Sequence, residues 1–214
     1  MNVILFGPPG VGKGTQGLRL SEKMGMSHLA MGDLLRSAVK SEAPLGLEAK
    51  GYMDAGKLVP DALVIGMIEE KIKNSEGVSG FLLDGFPRNV AQAQALNEML
   101  AQHGLTVEHV IFMQADNQCL VERLSGRLIC KGCGFGFHRQ YSPPQKEGLC
   151  DRCGSELYQR DDDRAEVIEQ RLQVYLQETQ PLLEFYSKSD VFSEVDATKS
   201  MDEVFQSLEK VVQV

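Results

Sequence analysis

A chain of 214 residues, 43% of them hydrophobic, is long enough to bury one substantial core with small inserts. Its formal net charge of -8 disfavours a surface-wide nucleic-acid binder, although arginines gathered in one cleft could still hold polyanions. No apolar run reaches membrane-spanning length, and Met1 leads straight into an apolar run without a leader pattern, so a cytoplasmic protein that binds no membrane is expected.

Val3-Ile4-Leu5-Phe6 predicts a buried strand, and a helix should start near Thr15 and end at Met24-Gly25. Between them lies Gly7-Pro8-Pro9-Gly10-Val11-Gly12-Lys13-Gly14-Thr15. Strand, glycine-rich turn and helix form the context of a phosphate-binding loop. Gly7, Gly10, Gly12 and Gly14 are expected to take positive φ, so that backbone N–H groups and the helix N-terminus point at an anion. Lys13 adds an ammonium for the β/γ-phosphates. The match to GxxxxGK[ST] departs at one place, because Gly14 follows Lys13 and the hydroxyl arrives late, at Thr15. Magnesium should therefore be held mostly through water and the nucleotide.

Ser27–Ala30 can form a short strand, and a region from Met31 to about Lys57 reads as short helices broken at Pro44, Gly46, Gly51 and Gly56. Asp61 is expected to cap a helix to Lys73 with an apolar stripe of Leu63, Val64, Met67, Ile68 and Ile72. Phe81–Asp84 is a second buried strand, followed by Gly85-Phe86-Pro87-Arg88 and a helix to about His103. His109–Met113 is a third strand, and Asp116 can cap a helix bearing Cys119. Arg123 and Arg127 are spaced i, i+4, as on one helix face. From Asp163 a long amphipathic helix should run toward Ser187, interrupted at Pro181, before a strand at Val191–Val195 and a closing helix from Met201 to Val212. Strands alternating with helices predict a parallel α/β sheet with ligands at the carboxyl ends of the strands.

Cys130 to Gly154 differs in composition, with no helical period, and reads as a small inserted module. Cys130-Lys131-Gly132-Cys133 and Cys150-Asp151-Arg152-Cys153 have the spacing of a four-thiolate Zn²⁺ site that is closed and hence structural. Iron or cobalt would also suit four thiolates, and a redox CxxC is the rival reading. Cys119 reads as a buried core residue. Asp84 ends an apolar strand beside the loop, where a magnesium carboxylate is needed. Arg36, Arg88, Arg123, Arg127, Arg160 and Arg171 offer planar forks for phosphate oxygens. The four histidines are scattered and read as structural or exposed, so no general base or nucleophile stands out. A phosphate monoester acceptor needs none, since its second pKa is about 6.

Together these residues resemble the adenylate kinase family, in its long bacterial type with a zinc-binding lid. The resemblance rests on Gly7–Thr15, Met31-Gly32-Asp33-Leu34-Leu35-Arg36, Asp84-Gly85-Phe86-Pro87-Arg88, the four cysteines and Arg160-Asp161-Asp162-Asp163. It implies an α/β P-loop fold of three layers with a central parallel sheet, an inserted helical monophosphate-binding segment and a small zinc-ribbon-like lid. The CORE would comprise residues 1–29, 60–126 and 162–214, the AMP-binding segment 30–59 and the LID 127–161. It further implies Mg²⁺-dependent, reversible transfer of a phosphoryl group from ATP to AMP by a monomer that binds no nucleic acid. Gly10, Val11, Gly12, Lys13, Gly14 and Thr15 would hold the ATP phosphates, with Arg123 on the ATP adenine and Asp84 in the outer shell of the magnesium. Met31, Arg36, Gly85 and Arg88 would line the AMP site, where Gln92 and the Lys57-Leu58-Val59 backbone read the adenine. Arg127, Arg160 and Arg171 would neutralise the transferring group, oriented by Asp162 and Asp163. The chain departs from the family at Met31, where a Ser or Thr hydroxyl is usual. A kinase for another nucleoside monophosphate, or a zinc-ribbon nucleic-acid-binding ATPase, would share several of these features.

Overall fold

The computed structural model describes residues 1–74 and 78–213; residues 75–77 and 214, which fall within the expected CORE, lie outside the described residues. The first strand, β1 (Asn2–Phe6), is buried along its whole length. Its run Val3–Phe6, apolar without alternation, suits a central parallel strand covered on both faces. The chain continues through α1 (Lys13–Met24), β2 (Ser27–Ala30), α2 (Met31–Lys40), α3 (Pro44–Asp54), α4 (Asp61–Lys73) and β3 (Phe81–Asp84). Then come α5 (Val90–Gln102), β4 (His109–Gln114) and α6 (Asn117–Ser125). Among the described residues the main sheet has the order β2-β3-β1-β4 and ends on β8 (Phe192–Asp196), with every neighbouring pair parallel. One apolar cluster, around Phe6, Phe86 and Leu96, covers one face of this sheet. A second, around Leu5, Leu20 and Ile111, covers the other, giving three layers.

The cysteine-rich segment folds separately, as β5 (Arg127–Cys130), β6 (Gly136–His138) and β7 (Leu157–Tyr158) in an antiparallel sheet of order β6-β5-β7. Its small core is Cys130, Phe137 and Cys150. The chain returns through a 3-10 turn (Asp161–Asp163) and α7 (Ala165–Val174).

Several local expectations need correction. The helix after the loop begins at Lys13, so Gly14 is helical and only Gly7, Gly10 and Gly12 of the loop glycines have positive φ. Asp61 is the first helical residue rather than a cap, because its carboxylate is taken by Asn89 and Gln92. Arg123 and Arg127 do not share a helix face: Gly126 closes α6, and Arg127 opens β5. The long helix is broken earlier than Pro181 alone requires. A π turn (Tyr175–Thr179) sets in after α7, and α8 (Leu182–Tyr186) resumes only after the proline. Cys119 is half-buried rather than part of the core. The closing helix, α9 (Met201–Val212), is fastened by a reciprocal box in which Ser200 accepts from Glu203 N and the Glu203 carboxylate accepts in return.

Candidate active site

The loop lies at the carboxyl end of β1, where the backbone must pass under a neighbouring strand. A Cβ on Gly7 would sit 2.2 Å from the Met113 carbonyl oxygen, and φ there is 146°, so only glycine fits. Gly12, at φ 105°, precedes the first helical residue of α1 and leaves the early N–H groups of the helix free for an anion. Lys13 Nζ donates to the carbonyls of Gly7 at 2.8 Å and Pro8 at 2.9 Å. Burial pulls its pKa down to about 8; Asp84 opposes the fall, while Arg88, Arg171 and Arg127 add to it. Thr15 is exposed at the mouth. Arg123 NH1 reaches the Val11 carbonyl at 3.4 Å, which brings that guanidinium to the loop.

Asp84 ends β3 beside β1, in register with Leu5. Its Oδ2 lies 3.5 Å from where a Cβ on Gly14 would stand, directly under the start of α1. The same oxygen lies 3.5 Å from His28 Nε2, a buried atom without a hydrogen-bond partner among the described residues.

Around this floor the arginines converge. Arg88 Nε donates to the Gly85 carbonyl at 2.8 Å; burial, and next the charge of Arg171, lowers its pKa to about 10. Arg160 is likewise lowered to about 10, by burial and then by Arg36 and Arg127, and its Nε is buried with no partner among the described residues. Asp33 accepts from Arg36 at 2.6 Å and from Arg160 at 3.4 Å. Burial works to raise the Asp33 carboxyl, but these two guanidiniums bring it below its ordinary value. Asp163, fully buried, accepts from Arg127 Nε at 2.7 Å, Arg127 NH2 at 2.5 Å and Arg171 NH1 at 2.9 Å. Arg171 also donates to the Asp162 carbonyl at 2.8 Å and pairs with the Asp162 carboxylate at 3.1 Å. Burial would raise Asp162 too, yet Arg171, Arg127, Arg36 and Arg160 hold it low.

The residues expected to meet the monophosphate separate into two groups. Arg171 and Arg36 act electrostatically on Arg88, and Arg36 on Arg160, so these four belong to the convergent set. Lys57, Leu58 and Val59 lie instead on the segment before α4, bordering a cleft of about 500 Å³ that Asp61, Asn89 and α7 also line. Gln92 is 1% exposed on α5. Its Oε1 accepts from Arg88 N at 2.7 Å, and its Nε2 donates to Asp61 Oδ1 at 2.6 Å. Met31 is 1% exposed and packs into the apolar cluster that also holds Leu35 and Phe86.

Sequence reasoning missed Asp33 as a bridge between Arg36 and Arg160, His28 as the neighbour of Asp84, and Asp61 and Asn89 as the anchors of Gln92. The signal for His28 is positional. It stands two residues before Ala30, and Ala30 is in register with Asp84, so both side chains emerge on one face of the sheet.

In the cysteine-rich module Cys130, Cys133, Cys150 and Cys153 bring their Sγ atoms within 4.8 Å of one another. Cys130 and Cys153 sulfurs are 3.4 Å apart, and those of Cys133 and Cys150 3.6 Å. Ligands 2.3 Å from a tetrahedral centre would be about 3.8 Å apart, so the group fits one metal ion. Backbone N–H groups of Gly132 and Cys133 point at Cys130 Sγ, and that of Arg152 at Cys150 Sγ, as thiolate ligands require.

A family model described as Adenylate kinase matches residues 5–191. The chain is similar to an adenylate kinase of Carboxydothermus hydrogenoformans, 47% identical over 213 residues and 100% of both chains. It is 48% identical over 212 residues to one of Bacillus licheniformis, covering 99% of this chain and 98% of the other. It is 47% identical over 213 residues to one of Geotalea daltonii, again over 100% of both. With the phosphate loop, the convergent arginines and the four-thiolate group already in place, these full-length matches establish that the chain belongs to the adenylate kinase family.

Proposed function

We infer that this chain carries out the reaction of its family, the reversible transfer of a phosphoryl group from ATP to AMP to give two ADP. The observation that carries the reading is the gathering of Lys13, Arg36, Arg88, Arg127, Arg160 and Arg171 about one cleft in a chain of net charge -8. Two nucleotides that repel one another need such a cleft to be brought into line.

Lys13 and the N–H groups from Gly10 to Thr15 hold the β- and γ-phosphates, with Arg123 against the ATP base. Arg36 and Arg88 grip the AMP phosphate, and Gln92 with the Lys57–Val59 backbone reads its adenine. An oxygen of the AMP phosphate forms the new bond to the γ-phosphorus as the bridging β–γ bond breaks, the electron pair leaving with ADP. No proton has to be removed, because the attacking phosphate is already a dianion above a pKa of about 6. Arg127, Arg160 and Arg171 meet the charge spread over the transferring oxygens, and Asp162 and Asp163 keep their forks aimed. Asp84 would orient the water ligands of a Mg²⁺ ion brought in with ATP, which would supply charge neutralisation to the phosphates.

Residues 30–59 act as the AMP-binding segment, 127–161 as a LID, and the remainder as the CORE. Closure of the LID excludes water that would otherwise accept the phosphoryl group; the adenylate kinase lid is itself a standard example of such gating. Cys130, Cys133, Cys150 and Cys153 would hold one Zn²⁺ whose coordination is complete, leaving it a structural part. We place the protein as a monomer in the cytoplasm, without nucleic-acid or membrane partners; its negative charge supports this, and no helix among the described residues is long and apolar enough to cross a membrane.

The test is a coupled assay of ATP with AMP, GMP, CMP and UMP, each with and without Mg²⁺. Turnover with AMP that stops without Mg²⁺ is expected. Turnover with another monophosphate and none with AMP would overturn the substrate assignment.

A further inference from the structure

We propose that Asp61 is the positioning residue that makes the monophosphate site select a 6-aminopurine over a 6-oxopurine, by locking the side-chain amide of Gln92 in one of its two orientations. This rests on the reading that Gln92 faces the acceptor base.

An amide side chain has a donor end and an acceptor end of nearly the same shape, and only its partners decide which end points where. The partners of Gln92 leave no choice. Its Nε2 meets the Asp61 carboxylate at 2.6 Å, an acceptor without a proton to give, and its Oε1 meets the backbone N–H of Arg88 at 2.7 Å. Turned over, the amide would set oxygen against carboxylate and N–H against N–H, losing both bonds in a site where Gln92 is 1% exposed. The carboxylate is held in its turn. Asn89 Nδ2 donates to both of its oxygens, at 3.2 and 3.3 Å, while Asn89 Oδ1 caps α5 by accepting from Gln92 N at 2.8 Å. Asp61 also directly follows the Val59-Pro60 segment, so it ties the loop and Gln92 into one unit.

So fixed, the amide keeps one N–H and one oxygen lone pair uncommitted, in a set order. The edge of adenine offers a ring acceptor beside an amino donor and answers that order. Guanine in the same seat offers a ring N–H beside a carbonyl, so donor meets donor and acceptor meets acceptor. Only a turned-over Gln92 would suit it, and Asp61 forbids the turn.

Asp61→Asn keeps the size and removes the stronger, charged half of the constraint, because an amide at 61 can serve either end of Gln92 and only the Arg88 N–H then still opposes the turn. The ratio of kcat/KM for AMP to that for GMP should fall roughly tenfold or more, the effect of relieving one opposed pair. KM for ATP at saturating AMP should stay as it was. Asn89→Ser, which retains a cap acceptor but frees one side of the carboxylate, should move the same ratio in the same direction by less. A purely structural role would lower both monophosphates together and leave the ratio alone. If wild-type protein uses AMP and the ratio is unmoved in whichever of these variants fold, the inference is wrong. Wild-type protein that does not use AMP would instead sink the reading on which it rests.

Discussion

The arrangement around Asp163 permits a quantitative expectation. Its carboxylate is fully buried and accepts three guanidinium hydrogens, two from Arg127 and one from Arg171. Asp163→Asn preserves the outline but turns one end of the acceptor into a donor, so at least one guanidinium N–H is opposed whichever way the amide lies. The negative charge that offset two buried cations is lost as well. Hydrogen bonds to charged groups contribute about 1.5–3 kcal/mol each, and removing one partner of a buried ion pair costs about 3–5 kcal/mol. We take the latter figure because the three bonds share one carboxylate and cannot be summed. For a chain of this size about 1 kcal/mol moves the midpoint by roughly 2–4 °C, so Tm should fall by about 6–20 °C. The forks of Arg127 and Arg171 would lose their aim too, and displacement of a positioning group by about 1 Å costs on the order of a hundredfold in rate. Calorimetry paired with the coupled assay, run well below the transition, measures both. A variant that melts within about 3 °C of wild type and retains its kcat would refute the idea that Asp163 orients these arginines.

Arg88→Ala should lower kcat/KM for AMP by the equivalent of about 2–5 kcal/mol, and Arg88→Lys should recover little because a point charge cannot replace the fork; near-normal steady-state kinetics in either would remove Arg88 from the site. Lys13, with its pKa lowered to about 8, loses its charge as pH rises through 8, whereas bound phosphate favours the ammonium. KM for ATP should therefore rise above pH 8, and ATP binding near pH 8 should take up a proton, seen as a buffer-dependent binding enthalpy; a flat profile from pH 7 to 9.5 would contradict it. Replacing Cys150 and Cys153 by Ser should abolish stoichiometric zinc and lower Tm while reducing the rate only modestly at low temperature. Complete inactivity in a folded, zinc-free variant, checked by metal analysis and circular dichroism, would instead make the metal part of the chemistry.

The parallel sheet was legible because its strands carry their signal locally. Val3–Phe6, Phe81–Leu83 and Val110–Met113 are apolar without alternation, as strands covered on both faces must be. The loop and the CxxC pairs were legible because their spacing expresses the geometry of the ligand. What stayed hidden depends on partners distant in sequence. Asp61 has the composition of a helix cap and the position for it, yet residues 28 and 31 places further on claim its carboxylate. Local propensity had no access to that competition. Arg127 reads as helical from spacing to Arg123, and only the turn at Gly126 into an antiparallel sheet shows otherwise.

The charge balance shows how an acidic chain can hold a cationic cleft. Six cations face four carboxylates there: Asp33, Asp84, Asp162 and Asp163. The carboxylates do not cancel the cations evenly. Asp33 and Asp163 each grip two guanidiniums, setting their direction while leaving the cleft positive overall. The remaining repulsion appears in the lowered pKa values of Lys13, Arg88 and Arg160. Burial contributes the larger share of each shift, which means that these groups have already lost much of their water before a ligand arrives. Phosphates entering such a site meet donors that need little reorganisation, and the mutual repulsion of the cations is relieved as they bind. The repulsion is therefore greatest in the empty cleft and falls as anions bind there.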